Sequence, residues 1–221
     1  MVFPTMAVFV WRDMAGKITA LKRQKHNKQR VNVYLDGEFA FGLAEIEAIS
    51  LQIGDWLSDE QIAELKAGDA LEKAKNKALN YLSYRPRSEW ELRHYLGDKD
   101  FENETIDLVL KRLREADLVD DLEFARYWID NRLRFRPRGE WALQQELRQK
   151  HIDTHIIEKA LMDFDEERAL KKALQRHARR LQHLPSEKFK KRLMQRLARR
   201  GFSYGAIRDA LETYLSSTDA V

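Results

Sequence analysis

The chain has 221 residues, of which 34% are charged, with a net charge of +4, a mean hydropathy of −0.63, 9 glycines, 4 prolines and no cysteine. The scarcity of glycine and proline favours long helices over turn-rich β structure. Without cysteine there are no disulfides, no thiol catalysis and no thiolate metal site, and a reducing cytoplasmic setting is expected.

The apolar opening Met1–Trp11 lacks the leading basic segment and small-residue cleavage site of a signal peptide. It is also too short to span a bilayer. Residues 1–16 are therefore read as a poorly defined N-terminal segment, with Met14 as an alternative start. Residues 17–66 are read as a β-hairpin plus short helices. Ile18–Leu21 and Arg30–Leu35 alternate apolar and polar side chains, and Asp36-Gly37 is a hairpin turn signal before Glu38–Phe41. A lone hairpin is marginal in water, so a third strand or a packed helix is expected. Ala44–Ile49 predicts a short helix, and Ser58 with Gln61 predicts a capping box that opens another.

From about residue 67 onward the periodicity is helical throughout. Helices are predicted over 70–84, from Ser88 through Leu96, and over 104–116. Ser88 and Glu91 form a second capping-box pattern, and Trp90, Leu92, Tyr95 and Leu96 are assigned to an apolar face. The hexapeptide Arg85-Pro86-Arg87-Ser88-Glu89-Trp90 recurs as Arg136-Pro137-Arg138-Gly139-Glu140-Trp141. Ala125, Ile129, Leu143 and Leu147 then stand where Ala74, Ala78, Leu92 and Leu96 stood. A looser third copy places Leu193, Leu197, Phe202, Ile207 and Leu211 in the same register. These copies define three tandem three-helix repeats at 67–118, 119–164 and 165–216, followed by a tail at 217–221. The predicted fold is mainly α, an elongated curved solenoid preceded by the small β-hairpin/helix module.

Charge is distributed unevenly over this frame. Residues 170–201 contain Lys171, Lys172, Arg176, Arg179, Arg180, Lys188, Lys190, Lys191, Arg192, Arg196, Arg199 and Arg200 against Glu187 alone, a net of +11. A solvated helix face normally intersperses acids among its bases. Twelve bases against one acid repel one another unless an anion binds, and a nucleic-acid backbone is the obvious anion, bound without sequence preference.

The stretches Leu82–Leu92 and Leu118–Trp128, Arg136–Gly139 with Glu146-Leu147, and Arg200-Gly201-Phe202 resemble the RecX family, bacterial modulators of the RecA recombinase. The resemblance covers residues 70–214. It departs where the family tends to have glycine after each middle helix: only Gly201 complies, and His151 at that place requires a left-handed backbone. The front end resembles the hairpin extension of longer members. The resemblance implies a regulator that docks on RecA and on the RecA–DNA filament and mostly inhibits its ATPase and strand exchange. It implies a cytoplasmic, monomeric protein that needs no cofactor and contacts single- or double-stranded DNA but no membrane. The alternative is a stand-alone nucleic-acid-binding protein or transcriptional regulator whose three-helix units act like helix-turn-helix modules.

The remaining candidates have structural readings. Arg85 and Arg136 suit the C-termini of the preceding helices. Arg87 and Arg138 are open to phosphate or carboxylate binding as well. Trp90 and Trp141 could stack on bases, but matching apolar positions assign them to the core, as for Tyr81, Tyr84, Trp128 and Phe135. Pro86, Trp90, Pro137, Trp141, Gly201 and Phe202 then serve as repeat markers. Asp120, Asp121 and Glu123 are read as helix caps rather than a metal site. The six histidines are scattered, and His151 and His155 straddle a helix start marked by Asp153, so no zinc site is expected. No P-loop, dinucleotide glycine motif or nucleophile elbow is present, and the chain is read as a non-enzyme.

Overall fold

Three strands and a short fourth open the fold: β1 (Gly16–Arg23), β2 (Arg30–Leu35), β3 (Glu38–Ala44) and, after the helix α1 (Glu45–Ala48), β4 (Trp56–Leu57). The computed structural model describes residues 15–218, so the N-terminal segment, the alternative start at Met14 and most of the tail lie outside the described residues. The chain divides into two compact units. One runs through Asn80 and includes Leu96–Val109; the other comprises Tyr81–Tyr95 and the chain from Leu110 onward.

In the first unit the sheet is antiparallel in the order β3-β2-β1-β4. Alternation puts Ile18, Val31, Val33, Leu35, Phe41 and Leu43 on one buried face. The β2–β3 turn has positive φ at both Asp36 and Gly37, which suits the right-handed twist of the strands. Leu57 and Ile62 close the same core. The capping box at Ser58 forms in both directions, Ser58 N–H to Gln61 Oε1 at 2.9 Å and Gln61 N–H to Ser58 Oγ at 3.3 Å.

The helix that this box opens does not stop early. The two helices predicted around residue 67 are one, α2 (Asp59–Leu82). Gly68, whose helix cost is about 1 kcal/mol relative to alanine, lies inside this helix. Its missing Cβ admits the Glu47 carboxylate, which would lie 2.4 Å from a methyl group there. One residue on, the buried carboxylate of Asp69 accepts from Arg30 Nη1 (2.9 Å) and the Ala44 N–H (2.7 Å), and pairs with Lys73. Burial opposes its ionisation, but these donors hold Asp69 below the usual aspartate range.

The helices of the repeats are α3 (Glu89–Gly97), α4 (Asn103–Glu115), α5 (Asp121–Phe135), α6 (Glu140–Arg148), α7 (Thr154–Leu161), α8 (Glu166–Arg179), α9 (Ser186–Ala198) and α10 (Tyr204–Thr218). The fold is thus mainly helical with a small N-terminal sheet. In the second unit, α5–α7 enclose Phe124, Ala125, Ile129, Leu143, Leu147, Ile152, Ile157 and Leu161. The corresponding core of α8–α10 holds Leu170, Leu174, Leu193, Leu197, Phe202, Ile207 and Leu211.

Each middle helix ends in a left-handed residue: Asp100 (φ 61°), His151 (φ 57°) and Gly201 (φ 86°). His151 therefore adopts the backbone that its place in the repeat demands. The Ile152 N–H reaches back to Leu147 O at 3.2 Å, the bond that closes such a helix end.

Consecutive repeats meet at these ends. Ser88 Oγ donates to Lys150 O at 3.1 Å, and one repeat later the Gly139 N–H donates to Arg200 O at 2.9 Å. The first helical N–H of the first two middle helices is capped from a neighbouring helix start, Glu89 N–H by Asp121 Oδ1 and Glu140 N–H by Glu166 Oε1, both at 2.9 Å. Burial, then the negative charges of Glu89, Asp120 and Asp153, keep the Asp121 carboxyl above the ordinary range. Asp120 caps its own helix, accepting from Leu122 and Glu123 N–H. Asp153 has a capping backbone conformation, but its side chain makes no cap bond.

Four core assignments, Trp90, Trp141, Tyr84 and Phe135, are corrected. Trp141 is 64% exposed and Trp90 36% exposed. At 100° per residue, Trp141 stands about 200° around the helix from Leu143, so the two cannot share a buried face. Trp90 is half-covered because it stacks on His94 and on His151, with centroids 4.4 Å apart in the latter pair. Tyr84 and Phe135, beside the turns, are also exposed. The second capping box forms by half: the Glu91 N–H bonds Ser88 Oγ at 3.2 Å. The Glu91 carboxylate goes instead to Arg85 (2.9 and 3.0 Å) and Lys150 (2.6 Å).

Three substitutions test this packing. Asp69→Ala leaves Arg30 buried without its anion and should cost about 3–5 kcal/mol in urea unfolding. Gly139→Ala forces a methyl to within 2.3 Å of Gly201 O and should cost about 1–3 kcal/mol. Trp141→Ala should cost less than about 1 kcal/mol, as an exposed ring would.

Candidate nucleic-acid interface

The basic residues of the third repeat do not form one undivided face. On α8, Lys172, Arg176 and Arg180 fall at i, i+4 spacing and so lie along one row. With Arg179, Arg134, Pro137 and Gln175 they line a groove of about 410 Å³. Lys171 turns the other way, into a larger groove with Glu166, Glu167 and Asp209, where acids offset it. On α9 and just past it, Lys188, Arg192, Arg196 and Arg200 form a second i, i+4 row. Arg199 flanks this row, beside Phe202 and the exposed Tyr204. Lys190 lies 4.0 Å from Glu187, and Lys191 is exposed about 160° away from Leu193.

The two Arg-Pro-Arg turns have different surroundings. In the first, Arg85 is held bidentately by Glu91, and Arg87 lies 3.7 Å over the Tyr81 ring. Burial opposes ionisation of Glu91, but Arg85 and Lys150 hold it below the usual range. Both arginines are thus engaged inside the fold. In the second turn Arg136 is exposed, while Arg138 Nε lies 3.3 Å from Glu146 Oε1 without a hydrogen bond. Arg176 donates to Phe135 O, and Arg200 Nη1 donates to Pro137 O at 3.1 Å. The second turn therefore joins the basic field of the third repeat. Burial and then the charges of Arg138, Arg176, Arg136 and Arg180 lower the Arg200 guanidinium below its ordinary range. Pro137 is buried and Pro86 exposed, in keeping with this difference.

His177, one of the six scattered histidines, lies at the centre of the field. It is 7% exposed, and neither ring nitrogen has a hydrogen-bond partner among the described residues. Burial, then Arg200, Arg196, Arg180 and Arg176, push it down from 6.5 to about 4. The signal in the sequence is its place 45 residues after Arg132, where the aligned helices α5 and α8 put the two at one position.

Four family models match in order along the chain. The RecX N-terminal domain matches residues 16–55, and the first, second and third RecX three-helix domains match 74–113, 120–161 and 165–211. The chain belongs to the RecX family. A regulatory protein RecX of Bacillus licheniformis is 34% identical over 200 residues, which are 88% of this chain and 76% of that one. A RecX of Listeria welshimeri is 32% identical over 183 residues, 82% of this chain and 68% of its relative. A crystal structure of a regulatory protein RecX superposes with a TM-score of 0.68 at 33% identity, covering 87% of this chain and 98% of the other. That of RecX from Lactobacillus salivarius gives 0.58 at 27% identity over 66% of this chain and 97% of that one. Among the described residues of this RecX chain, no helix is long and apolar enough to cross a membrane.

The His177 environment has a consequence for stability. A histidine lowered on folding leaves the unfolded chain binding more protons between pH 6.5 and about 4. Stability is therefore lost as pH falls through that window. His177→Gln cannot protonate, so relative to the parent it should gain about 1–2 kcal/mol as pH falls from 7 to 4.5 in urea titrations. A pH-independent difference between the two would contradict this placement.

Proposed function

We propose that this protein binds RecA and RecA–DNA filaments and modulates RecA, mostly by inhibiting its ATPase and strand exchange. It acts as a cytoplasmic, monomeric, non-enzymatic regulator, and it grips the phosphate backbone of single- or double-stranded DNA without sequence preference. The observation that carries the reading is the pair of basic rows on α8 and α9 of a RecX-family chain. Neither row contains an acid, and the arginines around His177 act on one another rather than on carboxylates. Such a field attracts a polyanion and is relieved by one. Inhibition then follows from mass action: a ligand that prefers one state of the filament shifts its assembly by the difference in affinity.

The decisive measurement is the single-stranded-DNA-dependent ATPase of RecA with substoichiometric amounts of this protein, where a fall in turnover is expected. Unchanged turnover together with retained DNA binding would favour the stand-alone nucleic-acid-binding protein. Lys188, Arg192 and Arg199 are exposed and make no contact that holds the turns, so their replacement by glutamate should spare the fold. The triple variant should bind DNA more weakly across all sequences, with a salt slope shallower by about 2–3. An unchanged slope would remove the polyanion contact from this surface.

A further inference from the structure

Three equivalent positions, one in each repeat, show how an opening between the first and middle helices is filled. In the first copy Tyr81 and Tyr95 stack at 4.1 Å, with the Arg87 guanidinium over the Tyr81 ring. In the second, Arg132 and Glu146 stand in their places and pair at 2.6 Å. Trp128 Nε1 donates to the same Glu146 carboxylate at 2.9 Å, and Arg138 lies beside it. In the third, the same alignment gives His177 and Arg196. The carboxylate that neutralises the second copy has become a guanidinium, and the group opposite is an imidazole without a hydrogen-bond partner.

We propose that His177, Arg176, Arg180, Arg196 and Arg200 form a binding site for one phosphodiester group of a nucleic-acid backbone. The site rests on the reading that the third repeat carries the polyanion contact, and it names the group that contact is built around. The external phosphate takes the role that Glu146 plays internally one repeat earlier.

Charge and geometry favour this ligand over a lone carboxylate. Arg176 and Arg200 each give one N–H to the backbone carbonyls of Phe135 and Pro137. A guanidinium has five N–H groups in a fixed fork, so both retain donors for phosphate oxygens. Lys172 and Arg179 continue the positive surface along α8, and Arg192 and Lys188 continue it along α9. That continuation suits a chain of phosphates rather than a single free ion.

The imidazole adds a proton-linked element. The charged groups acting on it are Arg176 and Arg180 from α8, and Arg196 and Arg200 from α9 and its end, all positive. A bound phosphodiester offsets part of this positive field, so protonation of the buried His177 ring becomes easier. Binding then takes up a proton, and lower pH tightens it.

The test is an NMR titration of the histidine ring signals in the full chain, alone, with inorganic phosphate, with a short single-stranded DNA, and with polyglutamate. The expected result is that DNA moves the His177 midpoint upward while the other histidines serve as references. If it rises by about two pH units, DNA affinity at pH 5 should exceed that at pH 7 by about tenfold in the parent but not in His177→Gln. DNA binding with an unmoved His177 would overturn the site and leave the wider nucleic-acid reading standing. No DNA binding by the parent would overturn both. Movement by phosphate alone would reassign the site to a free anion, and movement by polyglutamate alone to an acidic protein segment, either of which rejects the phosphodiester.

Discussion

The contact on which the helical part of this chain depends is backbone against backbone. Gly139, at the start of one middle helix, lies against Gly201, at the end of the next, so closely that a Cβ on Gly139 would sit 2.3 Å from a carbonyl oxygen. Two conditions make this approach feasible. The first is a left-handed residue at the helix end, which turns the chain away and frees the carbonyl before it. The second is a small residue at the partner helix start. The earlier junction meets the same conditions with different residues: Ser88 is small enough and bonds Lys150 O, and His151 accepts the left-handed backbone. There the imidazole also covers part of Trp90. Glycine is thus one answer to this constraint rather than the constraint itself.

This explains what could be read in advance. The hairpin, the strand alternation and the caps at Ser58 and Asp120 all follow from local chemistry and were legible, and the left-handed His151 followed from the family resemblance. The register of the repeats was legible too, because core leucines such as Leu92, Leu143 and Leu193 recur at nearly constant spacing. What local pattern could not supply was direction. Recurrence at Trp90 and Trp141 marked a repeated place, yet angular position on a short helix put that place outside the core. Glu91 likewise matched a capping box, but two cations elsewhere in the fold offered its carboxylate a stronger contact.

The basic surface shows the same limit from the side of charge. Composition located the excess correctly in residues 170–201, but counting could not separate bases that face a groove from those that balance acids. Lys171 sits among Glu166, Glu167 and Asp209, whereas Lys172, one residue away, faces Arg176 and Arg180. A helix turns 100° per residue, so neighbours in a charge run report on different surfaces. The second Arg-Pro-Arg turn entered this field only because Arg176 and Arg200 reach across to its carbonyls.

Those two arginines connect stability to recognition. Each holds the turn through a backbone carbonyl while belonging to the cluster around His177, so groups of the proposed phosphate site also fix the end of α5. In the absence of a counter-charge their mutual repulsion works against the packing they maintain, and burial of a neutral imidazole among them keeps that repulsion from growing. An acid in place of Arg196, where Glu146 stands one repeat earlier, would relieve that repulsion internally. It would also cancel the field on which the proposed phosphate site rests. On the proposed reading, the positive charge that the third repeat leaves uncompensated is what a phosphate at that site would offset.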